Sequence, residues 1–246
     1  MEIQNKMSGN TGLLTWELTN TLIINGNGDM PDFINNNIEP WSSHKNIITE
    51  TVIEEGVTNI GKRAFKDCCQ LISIVIPDSV KNIEYEAFAN CCSLISITIP
   101  NNVTSIGNVA FRNCSNLQTV NYNAINCTKN GLGRSSYPVF EDCTAFTTLN
   151  IGNNVKTIAY NIFYGCNNLE HIYLEGKQPP IIEYSTFYSV NKDTCILHVP
   201  IGTKNKYANA AHWEKFKNIQ EDVSNKCCLL SWIKKIFLFN KKTLFK

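Results

Sequence analysis

The sequence is poor in the residue combinations from which catalytic and metal sites are usually read. It has only four histidines in 246 residues, His44, His171, His198 and His212. None stands in an HExxH or comparable ligand spacing. There are eleven cysteines but no CxxC pair, which removes the usual zinc-ribbon and thioredoxin-like readings. GxSxG, Walker and dinucleotide fingerprints are missing, and GNGDMP, with no helical pattern after it, reads as a turn. Cys195 and His198 are three apart in an alternating segment, so they face opposite sides and do not make a nucleophile pair. No catalytic residue, metal or cofactor is assigned, and an enzyme is not expected.

Excess charge is also lacking. Only 17% of residues are charged and the net charge is +1, which gives no general attraction to nucleic acid. The balance hides an asymmetry, because residues 225–246 contain six lysines and no acid while the rest is mildly acidic. No segment reaches the roughly 18 uninterrupted apolar residues of a spanning helix. The opening MEIQNKMSGNTGLLTWEL holds no apolar run of signal-peptide type.

What the sequence does have is a period of 23. Ile60, Ile83 and Ile106 are followed five positions on by Phe65, Phe88 and Phe111, then by Cys68, Cys91 and Cys114, then by Leu71, Leu94 and Leu117. After an interruption the pattern resumes with Phe140 and Phe163, and with Cys143 and Cys166. Each unit joins a short alternating β-branched run such as LISITIP to a compact turn such as IGNVAFRNC. One unit cannot bury its apolar side alone, but stacked copies can, so the period predicts a solenoid. Ile74, Ile76, Val80, Ile83, Ala87, Phe88, Cys91 and Leu94 are the expected inward set. The repeated cysteine reads as a small buried apolar residue; coil spacing also leaves room for an oxidised pair. Cys69 and Cys92 form a second row, placed at the margin of the coil.

At these residues the chain resembles the BspA-like, or Treponema-type, leucine-rich repeat family, whose unit TSIGNVAFRNCSNLQTV (residues 104–120) matches well. Its opening LTWELTNTLIINGNGDMPDF and its ending CILHVPIGTKNKYANAAHWEKFKNI resemble the family's end units. The resemblance covers roughly residues 9–222. It implies a right-handed, mainly β solenoid with an N-terminal hairpin cap (residues 1–40), repeats over 41–200 with an insertion at 123–138, and a C-terminal cap over 201–224. Trp16, Leu18, Leu22 and Ile24 are the expected lid at one end, Trp213 and Phe216 at the other. The resemblance further implies a surface or secreted protein that binds host or extracellular proteins in adhesion.

The residues suggest where binding would occur. The middle outward strand positions are Val52, Val75, Thr98, Asn121, Asn150, Tyr173 and His198, flanked by Ser73, Ser96, Thr119, Thr148 and His171. Asn121, Asn150, His171, Tyr173 and His198 are the candidate contacts with a protein ligand. The plain alternative is that exposed strands carry Thr and Asn for β-propensity alone. The insertion NAINCTKNGLGRSSYP, with Lys129 and Arg134, is expected to add to this face or to be a neutral loop. The tail KCCLLSWIKKIFLFNKKTLFK pairs apolar residues with lysines in the manner of an interfacial helix on an anionic membrane. Cys227 and Cys228 are possible acylation sites, with Trp232, Lys234 and Lys235 beside them. That tail supports a second expectation, a membrane-attached scaffold on the cytoplasmic face.

Overall fold

The computed structural model describes residues 6–35, 38–130 and 137–222. The chain winds into a stack of parallel coils, with the right-handed sense general to such crossovers. Each coil contributes a strand to a main sheet face and most add a short strand to a second face. On the main face the antiparallel strands Met7–Thr11, Leu14–Leu18 and Thr21–Gly26 lead into the parallel strands Glu50–Ile53 and Ser73–Val75. A second sheet continues this face through Ser96–Ile99, Thr119–Tyr122, Thr148–Ile151, His171–Leu174, Ile196–Pro200 and Asn218–Asp222. The second face carries Gly28–Asp29, Val57–Ile60, Asn82–Ile83, Ser105–Ile106 and Lys129–Asn130.

The ends refine the boundaries read from the period. Thr21–Gly26 already pairs in parallel with Glu50–Ile53, and Gly28–Asp29 with Val57–Ile60, so the first coil begins inside the segment read as a cap. Likewise Asn218–Asp222 adds a full parallel strand after Ile196–Pro200. The short helix Lys204–Ala208 and the turn Trp213–Lys215 lie between these strands and close the end of the stack. The 23-residue period also loosens at 123–138. There Asn126–Cys127 pairs with Thr157–Ile158 while Lys129–Asn130 pairs with Ser105–Ile106. Two short strands in this segment thus serve the two neighbouring coils, with Ala124 and Cys127 fully buried.

The core is a column of aromatic rings. Trp41, Phe65, Phe88, Phe111, Phe140, Phe163 and Phe187 stack in order with centroids 5.1–5.8 Å apart and planes within 18° of parallel. Beside them Cys68, Cys91, Cys114, Cys143 and Cys166 are buried and unoxidised. The Cys91, Cys114 and Cys143 thiols donate to the carbonyls of Phe65, Phe88 and Phe111 in the preceding coil, at 3.1–3.3 Å. Burial pushes the Cys68 thiol up to about 12 and those of Cys91, Cys114 and Cys166 well upward. These are packing residues, as the period predicts. Ile74 and Ile76 are only partly buried, whereas Ile97 and Ile99 in the next coil are fully enclosed. Among the few buried polar residues, Thr51 takes the slot of Ile74 and leaves its buried hydroxyl without a hydrogen-bond partner.

A turn residue before each cysteine has positive φ: Asp67, Asn90, Asn113, Asp142 and Gly165, from 56° to 82°. Asx and Gly tolerate this left-handed conformation better than other residues. The side chains then link coils: Asn90 Nδ2 donates to Asp67 Oδ1 at 2.6 Å and Asn113 Nδ2 to Asn90 Oδ1 at 3.0 Å. Nearby, Arg63 and Lys66 both donate to the buried carboxylate of Glu86 at 2.7 Å.

Burial alone would raise the Glu86 carboxyl, but hydrogen bonds from Lys66 and Arg63 outweigh it and hold the group below the usual glutamate range. A carboxyl depressed on folding stabilises the fold above its unfolded value, near roughly 4.3, and that contribution is lost as pH falls through the folded value. Glu86→Gln is therefore expected to lower stability at pH 7 and to approach wild type at pH 3. Urea titrations at both pH values test this; a gap that persists at pH 3 would assign the loss to packing instead of charge.

Candidate binding face

The parallel register turns the alternation of each strand into rows that run along the solenoid. The middle row aligns Ile23, Val52 and Val75 in one sheet and Thr98, Asn121, Asn150, Tyr173, His198 and Gln220 in the next. The flanking row of Ser96, Thr119, Thr148 and His171 continues into Ile196 and Asn218. Because side chains alternate along a strand, both rows point away from the core. In the N-terminal half the middle row is apolar, with Val75 44% exposed, while the flanking row holds Thr21, Glu50 and Ser73. The C-terminal half is polar and aromatic.

Asn121 Nδ2 donates to Thr98 Oγ1 at 3.1 Å, and Asn150 Nδ2 to Asn121 Oδ1 at 2.7 Å. The two amides are thus aligned in one ladder across three coils, with half-exposed edges. His171, Tyr173 and His198 form a single cluster. The Tyr173 ring stacks on His198 with centroids 4.1 Å apart and planes 12° from parallel. His171 Nδ1 and His198 Nε2 are 3.0 Å apart, so one ring nitrogen donates and the other accepts. His198 Nδ1 lies 2.7 Å from Asp222 Oδ2, an electrostatic contact without the alignment of a good hydrogen bond.

This geometry corrects the expectation for His198. It occupies the outward row but is only 9% exposed. Tyr173 covers its face, His171 takes one nitrogen, and Asp222 of the added last strand approaches the other. His198 packs against Tyr173 and His171, which are partly exposed. Gln220 and Asp222 belong to the face and were not anticipated. The alternation in NIQED, with Ile219 buried, was their one signal.

Only the flanks of the insertion are among the described residues. Lys129–Asn130 lies on the second face, paired with Ser105–Ile106, and not on the main face that carries the Asn121–Asn150 ladder. The Lys129 side chain, Arg134, and the tail residues Cys227, Cys228, Trp232, Lys234 and Lys235 lie outside the described residues. Among the described residues no group of three or more His, Cys, Asp and Glu converges as a metal site. No helix among them is long and apolar enough to cross a membrane.

Among solved structures the chain is similar to a leucine-rich repeat protein of T. pallidum, with 24% identity over 71% of this chain and 83% of that one and a TM-score of 0.47. It is similar to a leucine-rich repeat protein from Eubacterium ventriosum at 16% identity, covering 79% of this chain and 78% of that one, with a TM-score of 0.37. The pneumococcal vaccine antigen PcpA is 19% identical over 60% of this chain, which spans 36% of that antigen, with a TM-score of 0.42. No curated protein sequence matches the chain. The model of the BspA type leucine rich repeat region matches residues 37–133 and 134–230 in six copies, and with most of its length so accounted for, the chain belongs to that family.

Proposed function

We propose that the protein acts without catalysis, by binding a protein ligand on the main sheet face in surface adhesion. Leucine-rich repeat domains generally mediate protein–protein interaction. The observation that carries the reading here is the ordered polar half of the face, where the amide ladder of Asn121 and Asn150 adjoins the Tyr173–His171 cluster. Amides already fixed by neighbours lose little further entropy when a partner binds, and half-exposed tyrosine offers area with few rotamers. The Asn121→Arg/Asn150→Arg double variant places two bulky cations on this face and leaves the buried His198 untouched. It is expected to weaken capture of extracellular matrix and plasma glycoproteins by the immobilised full chain at least tenfold, while the loss of two surface hydrogen bonds and the facing arginines lower the melting temperature only slightly, leaving the chain folded at the assay temperature. Undiminished capture by this variant would remove the face from the binding surface.

The tail favours a second reading, a membrane-attached scaffold on the cytoplasmic side. Its apolar and lysine-rich composition at residues 226–246 supports interfacial attachment. In that case truncation at residue 225 releases the protein from phosphatidylserine vesicles, and external protease on intact cells leaves it uncut. Cleavage by external protease supports the adhesion reading instead.

A further inference from the structure

The second cysteine of each Cys-Cys pair behaves differently from the first. Cys68 and Cys91 are enclosed in the core, but Cys69 is exposed and Cys92 partly so. They occupy the same slot in adjacent coils, where the backbones are joined by Phe65 N–H to Ala87 O at 2.8 Å and Asp67 N–H to Ala89 O at 2.9 Å. Both thiols point at one acceptor, the Asn90 carbonyl oxygen, at 3.3 Å from Cys69 Sγ and 3.4 Å from Cys92 Sγ. Desolvation and then the adjoining Cys92 sulfur push the Cys69 thiol above its ordinary range. Adjacent strands in a ladder lie roughly 4.8 Å apart, within the Cα separation of about 4.4–6.8 Å that a disulfide spans. The three coils that follow place Ser115, Thr144 and Asn167 in this slot, so the arrangement occurs once.

We propose that Cys69 and Cys92 are a thiol-exchange site at which a small-molecule disulfide such as glutathione disulfide installs a cross-coil bond. One thiolate attacks a sulfur of the small disulfide, forming a mixed disulfide and expelling one small thiolate. The second protein thiolate attacks the protein sulfur of that mixed disulfide and expels the other. The protein pair is oxidised by two electrons, the small disulfide is reduced to two thiols, and the two protein thiol protons end on those products. The buried cysteine row is excluded from this exchange because its thiols are inaccessible, and burial further raises those of Cys68, Cys91, Cys114 and Cys166. The raised thiol of Cys69 makes exchange faster at pH 8.5 than at pH 7.

The test uses the full chain carrying Cys227→Ser and Cys228→Ser, which leaves nine of the eleven cysteines. After incubation with glutathione disulfide at pH 8.5, alkylation in denaturant is expected to label seven thiols instead of nine. Trypsin is expected to release one linked species joining residues 67–81 to residues 82–112. Because each peptide contains two cysteines, Cys69→Ser and Cys92→Ser are made in the same background. Each is expected to abolish the link and leave a single glutathione adduct on the remaining partner. Nine labelled thiols after oxidation, or a link that survives Cys69→Ser, would overturn the assignment.

Discussion

Replacing Phe111 by alanine is expected to lower the unfolding free energy by about 4 kcal/mol, the range for truncating a fully buried aromatic. The ring is 0% exposed and lies between Phe88 and Phe140, with centroids 5.1 and 5.2 Å away. Removing it takes away two stacked contacts as well as the buried area. The neighbouring rings cannot close the space fully, because backbone hydrogen bonds between coils hold their spacing: Phe88 N–H donates to Ala110 O at 2.7 Å and Phe111 N–H to Val139 O at 2.9 Å. In a stack where each unit touches only the adjacent ones, a mid-column cavity weakens the coupling between the two halves. Chemical denaturation followed by both tryptophan fluorescence and far-UV circular dichroism measures this. The four tryptophans include Trp41 and Trp213 at opposite ends of the column, so noncoincident transitions would show the halves separating. A loss below about 1 kcal/mol would mean the column is not the main source of cohesion.

The column was legible in the sequence because the constraint repeats. A ring that must stack on its copy one coil away returns at the coil's own length, which is why Phe65, Phe88 and Phe111 mark the period so plainly. The positive-φ slot was also written there, in the Asp67, Asn90, Asn113, Asp142 and Gly165 that precede each cysteine. That row is confined to residue types able to adopt a left-handed turn. Trp41 was harder to see. It ends the column beside Phe65 and its indole N–H donates to Ala64 O at 2.9 Å, but it stands one position out of phase with the phenylalanines. The irregular first coil, 29 residues by the register of Ile23 with Val52, removed the guide.

The candidate face was legible in position and not in accessibility. Alternation fixes which side of a strand Tyr173 and His198 occupy, and the parallel register bears that out. Whether an outward side chain is exposed depends on what lies beside it in space. For His198 that is Tyr173 from the preceding coil and Asp222 from a strand 24 residues later. Neither contact leaves a local pattern. The same reasoning explains the two cysteine rows. Their spacing is identical, and only their position on the turn encloses Cys91 and leaves Cys69 at the surface.

Trp213→Ala is expected to lower stability by about 3–5 kcal/mol, as for other buried tryptophans, but with a different distribution from Phe111→Ala. Trp213 packs on Phe187, Tyr207 and Phe216 with centroids 5.5–5.9 Å away. Its indole N–H donates to Pro180 O at 2.8 Å, fixing the cap to the last full turn. Alanine would open the apolar end of the column to water where no further coil can cover it. A terminal unit has one neighbour, so its loss is felt first by the adjacent coils and least at the far end. Hydrogen exchange should therefore accelerate at the amides of Ile172 and Leu197 while those of Ile53 and Ile97 keep their protection relative to one another. Uniform acceleration along the chain would show instead that the stack unfolds as one unit. The consequence reaches the candidate face, because Tyr173, His171 and Asp222 are all on the coils that this tryptophan closes. Loss of ligand capture by Trp213→Ala, at a temperature where the N-terminal coils remain folded, would locate the contact in the C-terminal half without altering any residue of the face.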